Sequence, residues 1–122
     1  MNGGMSNVEI FNYIAKGMET SSPQINHTLD IKVKLYESAE NVLGRAYPSS
    51  AWQEINIKYF HTNSDAECAS NLMHEWLHRC TRKFDHEAKR TALRIHCVPY
   101  AVGYIVLDLC RVILKEDEKR AA

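Results

Sequence analysis

A chain of 122 residues with 45% apolar and 25% charged side chains has one domain's length and a globular profile, which excludes a disordered or fibrous chain. Fifteen basic and fifteen acidic residues balance, so the chain as a whole is no basic nucleic-acid binder. The balance hides an asymmetry: residues 1–78 carry five basic and nine acidic groups, and residues 79–122 carry ten and six.

In chain order, "MNGGMSNVEI" has no basic n-region and no apolar core, so no signal peptide is expected. Ser6-x-x-Glu9 is a capping box ahead of "NVEIFNYIAKG", and it predicts a first helix over about 7–16 with Ile10, Phe11 and Ile14 on one face. Gly17 is its stop. A loop, "TSSPQINHT", follows. "LDIKVKLY" alternates Leu29, Ile31, Val33 and Leu35 with Asp30, Lys32 and Lys34, which predicts a half-buried strand. "ESAENVLGRAYPSSAW" reads as a helical turn and then a Pro/Ser loop. "EINIKYF" predicts a second strand, with Ile55, Ile57 and Tyr59 sharing a face. The sheet is expected to be small, and antiparallel or mixed.

Ser64-x-x-Glu67 is a second capping box. After it Ala69, Leu72, Met73, Trp76, Leu77 and Cys80 follow the spacing of an amphipathic helix. At 100° per residue, His74 and His78 lie about 40° apart and almost opposite that stripe. Asn71 accompanies them and Glu75 lies on their flank. A last long helix is expected from near Pro99. It is expected to bury Val98, Ala101, Val102, Ile105, Val106, Leu109, Val112 and Ile113, and to fray in "KEDEKRAA". Asp108 and Arg111 interrupt this apolar stretch, which reads as a buried helix rather than a membrane span. Cys68, Cys80, Cys97 and Cys110 form no CxxC pair and read as reduced thiols in a cytoplasmic protein.

"HEWLH", residues 74–78, carries the chemistry. Two histidines four apart on a helix face one zinc ion, and a glutamate next to the first reaches a metal-activated water without ligating the metal. That water's pKa falls to about 7, and the carboxylate takes its proton. His74 and His78 are therefore candidate zinc ligands and Glu75 the candidate base. His86 in "RKFDH" is the leading third ligand, because a chain reversing after the helix returns it over the helix end. His96, Asp85, Glu87, Asp108 and the terminal acidic run are the alternatives. Tyr100 is either a hydroxyl donor to a developing oxyanion or a tyrosine packed at a helix start.

An HExxH helix preceded by a small sheet resembles the zincin metallopeptidases, and the likeness covers about 28–80. A histidine soon after the helix looks like the metzincin arrangement. "HRCTRKFDH" lacks that group's glycine and is two residues longer, however, and no methionine follows Met73 for its methionine turn. Gluzincins take a glutamate from a later helix, and Glu87, Glu116 and Glu118 are poorly placed for that. "RAYPSS", "HEWLH", "FDH" and "VPYAVG" together resemble small zincin-like proteins of phage and prophage origin.

The resemblance implies an α+β fold, a single zincin-like domain over 1–122, with a small sheet packed on the HExxH helix and a long C-terminal helix. It also implies Zn2+ on His74, His78 and His86, with Glu75 as base, in a metallopeptidase-like hydrolase. If "EINIKYF" is an open sheet edge, an extended peptide can add to it. Arg79, Arg82, Lys83, Lys89, Arg90 and Arg94 suggest a basic rim that favours an acidic substrate, or a protein on nucleic acid as for the SprT-like zincins. Two other readings use the same residues: a zinc-binding interaction protein without catalysis, and a hydrolase of non-peptide amides.

Overall fold

The computed structural model describes residues 2–47, 49–86 and 94–115. Helix α1 (Asn7–Ala15) is capped by the Ser6 side chain, which accepts the Glu9 N–H. Its inward face presents Ile10, Tyr13 and Ile14. Phe11, expected on that face, is 69% exposed, and Tyr13 takes its place edge-on against Phe84. Gly17 ends the helix at φ +62°, and a Cβ there would meet the Thr28 backbone at 2.3 Å, so glycine serves both the left-handed turn and the close approach.

Three strands follow: β1 (Lys32–Tyr36), β2 (Gly44–Ala46) and β3 (Trp52–Asn56). The order is β1-β3-β2, with β1 parallel and β2 antiparallel to β3. The small mixed sheet of an α+β domain is as expected, but its layout is not. β3 is the central strand, not an edge. The end of "EINIKYF" is a one-turn helix, α2 (Ile57–Phe60), capped by the Asn56 side chain. Local competition explains this: the Asn56 carboxamide caps the Lys58 N–H and also donates to the carbonyls of Ser38 and Val42, so the ladder stops there. Val33 and Leu35 of β1 remain 40% and 45% exposed, because β1 is the edge away from helix α3, which packs on β2 at Gly44 and reaches β3 where Gln53 donates to the Leu72 carbonyl.

Helix α3 (Asp65–Cys80) begins at a complete capping box between Ser64 and Glu67. Its predicted stripe is the core-facing one: Trp76, Leu77 and Cys80 are fully buried with Phe84 and Val98, and Met73 packs on them. Helix α4 (Val98–Leu114) starts with Pro99 in its first turn and packs on α3. The closest approach is at Gly103, where the Ser70 hydroxyl donates to the glycine carbonyl at 2.7 Å. Only one side of α4 is covered. Ile105, Leu109, Val112 and Ile113, expected to be buried, are exposed, because among the described residues no further layer packs outside α4. The expected fraying over 116–122 lies outside the described residues. Among the described residues no helix is long and apolar enough to cross a membrane, and the four cysteines are free thiols.

Candidate metal centre

The helical spacing of α3 brings His74 and His78 together on its outer face, with ring centroids 5.1 Å apart. The third imidazole comes from the chain reversal after the helix. Thr81 leaves α3 in an extended conformation, and the Phe84 N–H closes a turn onto the Thr81 carbonyl. Phe84 is driven into the core, which anchors the turn and swings His86 back over the helix. His86 then lies 5.0 Å from His74 and 4.9 Å from His78 by ring centroids. One nitrogen from each of the three rings falls within 4.8 Å of the others. Three imidazoles so converged could hold one metal ion.

The alternatives are not brought to this point. His96 is exposed in a short 3-10 turn, Arg94–His96. Asp85 accepts the His86 N–H through Oδ1, so it orients the ligand segment instead. Asp108 is exposed on α4, and Glu87 and the terminal acidic run lie outside the described residues.

The electrostatics favour metal-competent histidines. Burial lowers the pKa of His78, the neighbouring His86 lowers it further, and Asp85 and a hydrogen bond to the Phe84 backbone act weakly the other way. The neutral form of His78 is thus favoured, with one ring nitrogen tied to the Phe84 backbone, an arrangement that suits a metal ligand. Glu75 is buried on the flank of the cluster, and burial pushes its carboxyl up to about 8. Its Oε1 lies 3.9 Å from His74 Nε2. A carboxyl that retains a proton to such a pH is the usual mark of a group poised for proton transfer or for a nearby cation. Tyr100, in the first turn of α4, packs edge-on against His74 at 4.5 Å and His86 at 4.8 Å.

The cluster stands between two hollows. A groove of about 930 Å³ runs along the polar face of α3, between the 41–44 segment and α4. A shorter basin of about 390 Å³ lies on the other side, against β2 and the 82–86 turn. Gly44, Glu75 and His86 line both.

Strand β2, like the one-turn helix α2, is an element that sequence reasoning missed. Three residues flanked by loop-forming Pro and Ser carry too little periodicity to register as a strand. Gly44 is the clue in hindsight, since a Cβ there would meet Asn71 Oδ1 at 2.5 Å and the Glu54 carbonyl at 2.8 Å. Gly44→Ala is therefore expected to lift β2 from α3 and cost about 1–3 kcal/mol, read as a lower denaturation midpoint.

The basic rim is also smaller than expected. Arg79 is 2% exposed and turned into the interior, because α3 presents it on the side of the sheet. Arg82 lines the basin, whereas Lys83 packs by the N-terminal Gly3. Lys89 and Arg90 lie outside the described residues. Comparison with family models, with curated proteins and with solved structures finds no match to this chain.

Proposed function

We propose that the protein is a zinc-dependent peptidase-like hydrolase. The observation that carries this reading is the convergence of His74, His78 and His86 within 4.8 Å, beside a buried glutamate and at the meeting of two hollows. An all-imidazole donor set with a neutral His78 suits zinc better than magnesium or calcium, which prefer oxygen ligands. Bound there, zinc would polarise a carbonyl and acidify water.

The remaining roles belong to the chain itself. Glu75, whose ionised form a dication held by the imidazoles would favour, takes the proton of the attacking water and passes it to the leaving amine. Tyr100, at the cluster's α4 side, supplies a hydroxyl donor to the negative charge developing on the carbonyl oxygen. Among the described residues β2 pairs with β3 alone, and its residues line the hollows. The peptide-pairing role first expected of "EINIKYF" therefore moves to Gly44–Ala46, where an extended substrate adds by main-chain hydrogen bonds. A cytoplasmic setting fits four cysteines held as free thiols.

Metal stoichiometry by mass spectrometry tests the centre. About one zinc per chain is expected in the wild type and in His96→Ala, and loss of most of it in His86→Ala. Zinc retained in His86→Ala, or absent from reconstituted wild type, would sink the three-histidine site.

A further inference from the structure

The two hollows beside the histidine cluster differ in charge. The long groove is lined by asparagines, aromatic rings and aliphatic side chains such as Asn41, Asn71, Tyr104 and Leu107, its acidic groups are Glu67 and Glu75, and among the described residues no lysine or arginine reaches it. The short basin is lined by two guanidinium groups, Arg45 from β2 and Arg82 from the turn after α3, with Asp85 and Glu75 as its acidic groups. Asp85 already accepts the His86 N–H.

Arg45 is held in place. Its guanidinium lies 4.0 Å from the Tyr36 ring centroid, and its Nε donates to Glu54. A guanidinium has five N–H donors in a planar fork, so the terminal nitrogens remain for a ligand. Glu54 does not line the basin. Arg82 is exposed and makes no ion pair among the described residues, so its guanidinium is engaged by no carboxylate among them.

We propose that this basin is a subsite for an acidic side chain of the substrate, bound by Arg82 and Arg45, and that the opposite groove, lined by Glu67 and Glu75, disfavours one. The proposal rests on the peptidase reading and narrows its substrate class to peptides with an aspartate or glutamate on one side of the cleaved bond. Two planar forks from different elements match a carboxylate in a way that scattered surface lysines do not. β2 runs from the groove at Gly44 into the basin at Arg45 and Ala46, so a peptide paired along it spans both hollows and meets the charge difference.

The test separates binding from turnover. Short fluorescent peptides carry one Glu, Gln or Lys walked along an otherwise neutral sequence. Their binding to zinc-loaded Glu75→Gln protein is followed by anisotropy at low and high salt, and the same peptides are offered to the zinc-loaded wild type for cleavage. The Glu peptide is expected to bind about tenfold tighter than the Lys peptide, at one side only, with the gap shrinking in high salt. In the Arg82→Glu background the preference reverses, and Arg82→Lys restores part of it, with circular dichroism and zinc content confirming an intact fold. Equal binding of Glu, Gln and Lys peptides, a preference on both sides, or a preference unchanged by Arg82→Glu would overturn the subsite, and cleavage by the wild type would then leave the peptidase reading standing. Cleavage of none of the peptides overturns that reading, while the binding contrast still decides the subsite.

Discussion

Replacing Glu75 with Gln is expected to leave zinc bound and to lower turnover by about 10²–10⁴. The carboxamide keeps the size and burial of the side chain but has no basic oxygen to accept a proton. The three imidazoles are untouched, so metal content should equal that of the wild type. A peptidase that loses activity this way uses Glu75 chemically. A binding protein on the same scaffold would show no turnover in the zinc-loaded wild type for the substitution to remove, and that outcome would replace the catalytic reading.

The same substitution has a second signature in the metal-free protein. Burial holds the folded Glu75 carboxyl at about 8, against an ordinary 4.5. The folded state therefore keeps a proton that the unfolded chain releases near its ordinary value. The stabilisation this proton provides is complete below pH 4.5 and fades as pH rises towards 8, because the unfolded chain binds fewer protons across that window. Glutamine has no proton to lose. Metal-free Glu75→Gln should thus be more stable than the metal-free wild type by on the order of 2–4 kcal/mol at pH 8 and above, with the difference closing towards pH 4.5. Urea melts along a pH series measure it. A constant difference across the series would show that Glu75 does not titrate in this way.

The other large effect lies behind the helix. Arg79 donates from Nε to the Ser50 carbonyl and from Nη1 to the Asp30 carbonyl, both at 2.9 Å, and from Nη2 to the Ser21 hydroxyl at 3.0 Å. Its own carbonyl accepts from the Thr20 N–H and hydroxyl. Nearby, Glu19 is fully buried, and its Oε1 accepts from the Trp76 indole and the Asp30 N–H. One side chain thereby ties α3 to the 19–30 segment and to the turn before β3.

Arg79→Ala is expected to cost about 3–5 kcal/mol, since it orphans the part-buried carbonyls of Ser50 and Asp30 and removes the cation beside the buried Glu19. Against a typical total of about 5–15 kcal/mol, that loss approaches unfolding. Arg79→Lys should recover little, because an ammonium cannot span acceptors arranged for a fork. Glu19→Gln in the Arg79→Ala background should return part of the loss, and a double-mutant cycle reads that coupling. A cost below about 1 kcal/mol for Arg79→Ala would show that the network is solvated instead.

Glu75 and Arg79, four residues apart on α3, also mark the limit of what was legible beforehand. Capping boxes and apolar periodicity are local, so the sequence by itself determined α1, α3, the start of α4 and the face on which His74 and His78 point. The motif named Glu75, and the short distance from α3 to His86 made the third imidazole a reasonable guess. Tertiary structure alone decided the rest. Burying Phe84 is what turns His86 inward. Strand order made β3 central and left three-residue β2 beside the histidines, and the capping amide of Asn56 turned the end of an apparent strand into a helix. Arg79 read as a rim charge because a charged residue's burial depends on distant acceptors, here residues 21, 30 and 50. Backbone periodicity is written in neighbouring residues, whereas strand order and buried polar pairing are settled between segments that meet only when the chain has folded.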